Sequence, residues 1–203
     1  MKIVKKFNTK LPSLPLPIYK NVKIAEAVSK DKDKFDIFIG LDKKKVAQLK
    51  AYSSDKNDKE LQKNTGDRNR FGEGSYKDWY KKIRTPFVLI HRQSDALAAI
   101  VWFGPKPLGK KFPRLGKEEI YKIQDNWHTI SYRSYPEWRG KGFMRKFVNF
   151  AADLYMKKFP NIRIWTGIDT RNKASKKLSL GLGFKTLEKL SDRKDHWLVM
   201  VKY

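Results

Sequence analysis

The spacing of apolar residues along the chain predicts a change of structure near residue 85. Before this point, short apolar runs are mixed with charged stretches; after it, strand-like runs and helix-like stripes follow one another. Residues 142–159, for example, place Phe143, Phe147, Ala151 and Leu154 on one stripe, which is typical of an amphipathic helix. The second part of the chain therefore carries the clearer signal for a packed fold.

From residue 87 the pattern predicts the element order β-β-β-α-β-α-β-β. Strands are expected at residues 87–91, 96–103, 127–134, 162–168, 184–190 and 197–201, and helices at 142–159 and 172–182. The polar turn at 93–95 makes the first two strands a hairpin. The strand-helix-strand in the middle favours a parallel crossover. We therefore predict a mixed α/β domain.

The first 84 residues are less regular. The first ten are basic and predicted to be extended, and residues 11–17 are a proline-rich surface segment. A charged helix is expected at 43–52. Residues 53–75 are polar and contain glycine, so they are predicted to form a loop. Residues 75–83 repeat aromatic residues at helical spacing, and Pro86 ends that helix.

Composition narrows the class of protein. The chain has 203 residues, which favours one domain, and no cysteine, which excludes disulfides, thiolate zinc sites and a cysteine nucleophile. Its three histidines lack metal-ligand spacing, so no metal is expected. No apolar run approaches a membrane span, and prolines break the apolar stretch at 11–17. These features predict a cytoplasmic protein without membrane contact.

The formal net charge of +25 invites a nucleic-acid interpretation. The excess is spread evenly, however: residues 1–84 carry 22 Lys/Arg and 11 Asp/Glu, and the remainder 24 and 10. A lysine-rich proteome and a selected polyanion-binding surface both account for this pattern, and both stay open. In either case the field of the protein attracts anionic ligands.

A glycine-containing turn carries the chemistry. Arg139-Gly140-Lys141-Gly142-Phe143-Met144 follows a predicted strand and opens a predicted helix, where free N–H groups favour a phosphate. Arg145 stands where a dinucleotide fold has its third glycine, and no G-x-x-x-x-G-K-[ST] loop exists. Cations also cluster at the starts of this helix and of the next one. Positive charge at a helix N-terminus is unfavourable with the helix dipole, but this arrangement is expected if phosphates bind there. They are Lys141, Arg145, Lys146, Arg171, Lys173, Lys176 and Lys177.

These residues resemble the GNAT superfamily of N-acetyltransferases. That family has the pattern Arg/Gln-x-x-Gly-x-Gly/Ala, matched at residues 139–144, and often Asn-x-x-Ser/Ala-x-x-Leu-Tyr-x-x-x-Gly-Phe, matched at residues 172–184. The resemblance implies a single domain with a mixed, largely antiparallel central sheet and helices on both faces. Residues 85–203 would form the acetyl-CoA-binding core, and residues 1–84 an N-terminal extension with acceptor-side helices.

The resemblance also implies an acetyl-CoA site between the strands at 127–134 and 162–168. The backbone of Tyr132 and Ser134 would bond the pantetheine and polarise the thioester. Asn172 and Ser175 would lie beside the pantetheine arm. The N–H groups of the first motif would hold the pyrophosphate; its residues are Arg139, Gly140, Lys141, Gly142, Phe143 and Met144.

Two positions depart from the family pattern. Met144 replaces the last Gly/Ala of the first motif, and Ser179 replaces the tyrosine that often protonates the leaving thiolate. Because a thiol has a pKa near ~8.5, the thiolate is still an acceptable leaving group. Candidates for the general base are His128, Glu137 and Asp169.

The resemblance implies an amine acceptor, whose identity stays open. The loop at 104–117 carries five cations and one aromatic residue, so RNA or ribosome contact, with an aminoacyl-tRNA or ribosomal-protein acceptor, stays open beside a small-molecule amine. These residues are Lys106, Lys110, Lys111, Phe112, Arg114 and Lys117. The alternatives to an acetyltransferase are a catalytically weak CoA-binding module and a basic RNA-binding protein that reuses the fold. Either a monomer or a homodimer is compatible with the sequence.

Overall fold

The computed structural model describes residues 1–7, 11–109 and 126–202. Within these ranges the strands are β1 Lys2–Lys6, β2 Asn21–Val28, β3 Lys34–Gly40, β4 Thr85–His91, β5 Leu97–Pro105, β6 Trp127–Ser134, β7 Arg163–Asp169, β8 Lys185–Thr186 and β9 Trp197–Lys202. The helices are α1 Lys43–Ser54, α2 Lys59–Asn64, α3 Tyr76–Tyr80, α4 Met144–Lys158 and α5 Lys173–Gly181. None of them is long and apolar enough to cross a membrane.

The strands form one sheet in the order β1-β2-β3-β4-β5-β6-β7-β9-β8. The pairs β1–β2, β2–β3, β3–β4, β7–β9 and β8–β9 are antiparallel. Strands β6 and β7 are parallel, with Trp127 opposite Arg163 and Thr129 opposite Trp165. The predicted mixed α/β fold and its strand-helix-strand crossover are therefore confirmed.

By its contacts the chain divides into two compact units. The first comprises Met1–Trp102 with Tyr132–Ala151. In its strand β3, Phe35, Ile37 and Ile39 are buried while the residues between them are partly exposed, as expected for side chains that alternate between two faces. Strand β4 is buried along almost its whole length, so both of its faces are covered.

The second unit comprises the described residues of 103–131 and 152–203. Its core holds Trp127, Trp165, Val199 and Val201, with Leu108, Leu187 and Trp197 packed against them. Helix α5 ends in a Schellman arrangement: Phe184 donates its N–H to the carbonyl of Ser179, and Gly183 has φ +86°. The predicted glycine stop of this helix is confirmed.

The prediction for residues 53–75 was wrong. This polar stretch contains helix α2 and a short π-helix at Arg68–Gly72, and it buries Leu61 and Phe71. Its structure depends on helix caps and ion pairs. These interactions leave no periodic pattern of apolar residues in the sequence, so the pattern did not predict them. Asp58 caps α2 by accepting a hydrogen bond from the N–H of Leu61 (3.0 Å).

Three other local predictions need correction. The helix expected at 75–83 ends at Tyr80, and Ile83 is 39% exposed with φ +56°. The strand expected at 184–190 covers only Lys185–Thr186, followed by a short 3-10 turn. Strand β2 had no prediction, and its neighbour, the proline-rich segment, buries Leu16 instead of lying wholly on the surface.

Candidate functional site

The glycine turn begins directly after β6 with a short 3-10 turn at Pro136–Trp138. Trp138 is buried and packs edge-on against Phe35, with ring centroids 5.4 Å apart. Phe143, at the other end of the turn, is also buried and lies 5.8 Å from the same ring. Two aromatic anchors therefore fix the turn at both ends, and residues 140–142 between them are exposed.

Gly140 and Gly142 both adopt the left-handed backbone region, with φ +74° and +70°. Residues with side chains adopt this region only at a cost of roughly 1–2 kcal/mol. Apart from the two adjacent residues, no heavy atom of the described residues lies within 4 Å of the position that a Cβ would occupy at either glycine. Both glycines are exposed, so the space next to the backbone is open to a ligand.

Helix α4 starts immediately after these glycines. Its first backbone bond runs from the N–H of Phe147 to the carbonyl of Phe143 (3.0 Å), so the N–H groups of Met144, Arg145 and Lys146 precede the helical ladder. No acidic residue occupies this first turn. These N–H groups and the positive end of the helix dipole favour an anionic ligand.

Cationic side chains surround the turn. Lys141, Arg145 and Lys146 are all exposed. The Nζ atom of Lys141 lies 4.7 Å from the centre of the Trp138 ring, a cation–π distance. The turn therefore combines open backbone donors with neighbouring positive charge, as a phosphate-binding site requires.

Arg139 occupies a different position from the rest of the motif. Its N–H donates to the carbonyl of Pro136 (3.3 Å), and its Nε donates to the carbonyl of Ser134 (3.0 Å). The two Nη atoms donate to the carboxylate of Asp58 at 2.6 and 2.5 Å. Arg139 thus holds the start of the turn against β6 and α2.

The Arg139–Asp58 ion pair is shielded from solvent, with Asp58 3% and Arg139 23% exposed at the side chain. Burial acts to raise the pKa of Asp58, but hydrogen bonds from Arg139 and from the N–H of Leu61 outweigh it, and the net pKa is lowered. The bond to Asp58 raises the pKa of Arg139. Sequence reasoning missed Asp58; the only local signal was an aspartate at a helix-capping position before Leu61.

Tyr132 and Ser134, expected beside the pantetheine, lie at the end of β6. The Tyr132 carbonyl accepts a hydrogen bond from the guanidinium of Arg133 (2.7 Å), and the Ser134 carbonyl accepts one from Arg139. Arg133 in turn binds the fully buried carboxylate of Asp67 through Nε (2.7 Å). The end of this strand is therefore braced by two arginine–aspartate pairs.

Glu137 is exposed in the 3-10 turn beside the glycines. Nearby, Tyr52 stacks on the buried ring of Tyr135 with centroids 4.3 Å apart. Burial first, and then the charge of Glu137, raise the pKa of Tyr52. Glu137 thus lies exposed to solvent next to the turn, and it stays a candidate proton acceptor.

A surface cavity of about 390 Å³ adjoins the turn on the α2 side. Asp58 and Arg139 both line it, so the ion pair forms part of its wall. The remaining lining residues are Asp55, Asn57, Lys59, Glu60 and Pro136.

His128, the other main candidate base, lies in the second unit on strand β6. Its Nδ1 is 2.7 Å from the hydroxyl of Tyr155, and its ring packs 6.0 Å from that of Phe159. His128 is half-buried. These contacts are typical of a histidine held in a packed aromatic cluster.

The second motif forms the start of helix α5. The Oδ1 of Asn172 accepts a hydrogen bond from the N–H of Ser175 (2.9 Å), which makes Asn172 the N-cap. Ser179 has no exposed surface. Lys173, Lys176 and Lys177 are exposed along this helix.

Asp169 and Arg171, just before α5, form an ion pair of 2.6 Å. The hydrogen bond from Arg171 lowers the pKa of Asp169 to about 2. A carboxylate with so low a pKa is a poor proton acceptor at neutral pH, and the charge of Arg171 is already matched. Asp169 is therefore the weakest of the three predicted bases.

The basic loop predicted at 104–117 is described only in part. The carbonyl of Lys106 accepts a hydrogen bond from Nε1 of Trp165 (3.0 Å), and its Nζ lies over the same ring. Lys110, Lys111, Phe112, Arg114 and Lys117 lie outside the described residues. Among the residues that are described, no group of three His, Asp or Glu side chains could hold a metal ion.

Comparison with solved structures identifies the fold. The chain superposes on ribosomal-protein-S5-alanine acetyltransferase from Vibrio fischeri with a TM-score of 0.54 and 18% identity, covering 87% of this chain and 96% of that one. It superposes on spermidine N-acetyltransferase from Vibrio cholerae, in complex with CoA and spermine, with a TM-score of 0.56 and 16% identity, covering 81% of this chain and 92% of that one. On the GNAT domain of S. lividans PAT it superposes with a TM-score of 0.57 and 11% identity, covering 88% of this chain and 95% of that one.

No family model matches the sequence, and no curated protein matches it either. The fold is nevertheless that of the GNAT acetyltransferases, as the two sequence motifs predicted.

Proposed function

We propose that this protein transfers an acetyl group from acetyl-CoA to an amine. The observation that carries the proposal is the turn at Gly140 and Gly142: two left-handed glycines with open space above them lead into a helix whose first N–H groups are unpaired within the helix. This arrangement fits a pyrophosphate, and the GNAT fold of the chain supports CoA as the molecule that carries it.

The pyrophosphate contacts are assigned to the backbone between Gly140 and Met144, assisted by Lys141 and the exposed cations of α4. Arg139 supports the turn rather than donating to the phosphate, since its N–H and guanidinium already bind protein groups. Asn172 and Ser175 are retained for the pantetheine arm from the resemblance of the second motif.

In the proposed reaction, the amine nitrogen forms a bond to the acetyl carbonyl carbon as the C–S bond breaks. A base receives the amine proton and the thiolate of CoA departs, taking up a proton from solvent. With a thiol pKa near ~8.5, this departure does not require a strong acid. Ser179 is not assigned to it, because a residue without exposed surface cannot meet an incoming thioester.

Glu137 is the preferred base. It is exposed and lies three residues before Gly140, whereas His128 is engaged with Tyr155 and Phe159. As an acceptor we propose a primary amine on a protein or a small molecule, in line with the ribosomal protein and the polyamine named for the two Vibrio enzymes. Assays for the acceptor should therefore include both protein amines and small-molecule amines.

A thermal melt with and without acetyl-CoA tests the cofactor assignment. Ligand at 100 times its dissociation constant stabilises a protein by about 2.7 kcal/mol, which for a chain of this length corresponds to a Tm increase of about 5–10 °C. Gly142→Glu places a side chain and a negative charge in the open space above the turn, so it should abolish the shift. Gly183→Ala is the matched control for backbone strain, because Gly183 also has a positive φ and open space.

The outcomes separate three functions. A shift that is lost in Gly142→Glu and kept in Gly183→Ala, together with thiol release on adding an amine, supports the acetyltransferase. A shift without thiol release on any amine would instead indicate a CoA-binding module. No shift at millimolar acetyl-CoA, with RNA binding that weakens steeply with salt, would indicate an RNA-binding protein.

A further inference from the structure

The proposal concerns Asp58, which belongs to the N-terminal part of the chain and not to either sequence motif. We propose that Asp58 is a positioning residue for acetyl-CoA, which acts through Arg139 on the backbone of the glycine turn. This inference rests on the proposed function, since it assigns a role at the same cofactor site.

Arg139 joins three segments of the first unit. It binds the carbonyl of Ser134 at the end of β6, the carbonyl of Pro136 in the 3-10 turn, and the carboxylate of Asp58 at the start of α2. Asp58 is itself fixed, because its Oδ1 also caps α2 at the N–H of Leu61. The residue that precedes Gly140 is therefore held from three directions.

The glycines explain why such an anchor matters. Glycine loses more conformational freedom on ordering than any other residue, so a Gly-Lys-Gly segment is mobile unless its ends are held. Phe143 anchors the helix end of the segment by burial. The end of the segment that follows β6 is anchored by Trp138 and by the Arg139–Asp58 pair. Backbone donors that are already aligned bind a ligand more tightly, because less entropy is lost on binding.

The pair is suited to this role by its geometry. Two parallel N–H···O bonds between a guanidinium and a carboxylate define both distance and orientation. With only 3% of the Asp58 side chain exposed, water competes little for the carboxylate. Lysine in place of Arg139, or asparagine in place of Asp58, would roughly keep the size of the side chain but lose the two-point contact.

The test is a double-mutant cycle on acetyl-CoA affinity, measured by calorimetry. Asp58→Asn and Arg139→Gln should each raise the dissociation constant at least tenfold. Both changes remove the Asp58–Arg139 contact, and Arg139→Gln also removes the bond to Ser134, so the double variant should bind no more weakly than Arg139→Gln alone. If Asp58→Asn weakened binding further in the Arg139→Gln background, Asp58 would act by a route other than Arg139 and the proposal would be wrong.

Asp36→Asn is the control for a general loss of stability. Asp36, on strand β3, binds Arg92, directly after strand β4 of the same unit, at 2.6 Å, and neither residue belongs to the glycine turn. Its melting temperature should fall while its affinity for acetyl-CoA stays within twofold of the wild type. Equal weakening in Asp36→Asn and Asp58→Asn would overturn the positioning role.

Hydrogen exchange without ligand gives an independent readout and does not depend on the binding assay. In Asp58→Asn the amides of Gly140 to Gly142 should exchange faster, while that of Phe147, inside the helical ladder, should not change. Unchanged exchange at the turn would contradict the proposal even if binding weakened. If the wild type failed to bind acetyl-CoA, both the proposed function and this inference would fall; wild-type binding that Asp58→Asn leaves unaltered would overturn the inference alone.

Discussion

The Nδ1 atom of His128 lies 2.7 Å from the hydroxyl of Tyr155. The Tyr155 ring stacks on Phe103 with centroids 4.4 Å apart and contacts Phe159 at 4.8 Å. His128 is thus one member of an aromatic cluster in the second unit. Its hydrogen bond accounts for a histidine on this strand without any catalytic role.

We therefore expect His128→Gln to lower stability by about 1 kcal/mol, the usual contribution of one hydrogen bond, and to leave acetyl transfer within threefold of the wild type. Tyr155→Phe removes the same bond while keeping the histidine, so the two variants should behave alike. Urea unfolding and initial rates across pH 5–9 measure both effects. A large rate loss in His128→Gln alone would make His128 the base.

Glu137→Gln, in contrast, should strongly reduce the rate of acetyl transfer. The amide has the size of the carboxylate but cannot accept the amine proton, so we expect kcat to fall by about 100-fold. The affinity for acetyl-CoA should not change, because Glu137 is not assigned to the pyrophosphate. Thiol release and calorimetry give the two quantities. Glu188→Gln, which removes an exposed carboxylate that pairs with Arg193, is the control, and equal kcat in both variants would exclude Glu137.

The sequence predicted the second part of the fold well because its elements have clear local signals. Strand β6 was predicted with both ends correct, since β-forming residues fill it and a proline follows. Helix α4 was predicted within two residues at its start and one at its end, because its apolar stripe is continuous. Glycines mark the turn before α4 and the end of α5. Such features are readable without knowledge of distant contacts.

Residues 53–75 could not be read in this way, because their order comes from partners far along the chain. Asp67 contacts Arg133, 66 positions away, and Asp58 contacts Arg139, 81 positions away. Neither aspartate lies on an apolar stripe. The same limit applied to the site: the glycine turn was visible in the sequence, but the partner of Arg139 was not.

Asp67→Asn tests how far ion pairs stabilise this segment. The Asp67 side chain is fully buried and binds both Arg70 and Arg133. Removing one partner of a buried ion pair leaves uncompensated charge and costs about 3 kcal/mol or more. For a chain of this length we expect Tm to fall by about 6–12 °C, with faster proteolysis within 58–72.

Asp78→Asn is the matched control for that experiment. Asp78 pairs with Lys81 at 3.5 Å, but 71% of its side chain is exposed. Exposed pairs contribute less than about 1 kcal/mol, so its Tm should stay within about 2 °C of the wild type. A similar fall in Tm in the two variants would show that the positions of the arginines around Asp67 do not depend on its negative charge.

The pH dependence of stability follows from Asp58. Its pKa is lowered in the folded state, because the bonds from Arg139 and Leu61 outweigh the opposing effect of burial. The folded protein therefore binds this proton less readily than the unfolded chain, whose aspartates titrate near 3.9. The stabilisation from this group is complete above that value and is lost as pH falls through the lower folded pKa.

We expect the free energy of unfolding of the wild type to exceed that of Asp58→Asn by about 2–4 kcal/mol at pH 5–7, since a largely buried ion pair is broken. The difference should shrink steadily below pH 4, where the Asp58 carboxylate of the unfolded chain begins to take up its proton while that of the folded protein stays ionised. Urea unfolding at half-unit intervals from pH 6 to pH 3 measures it. A difference that stayed constant down to pH 3 would mean that the pKa of Asp58 is the same in the folded and unfolded states, and one that grew on acidification would mean that folding raises it. Either result would contradict the assigned direction of the shift.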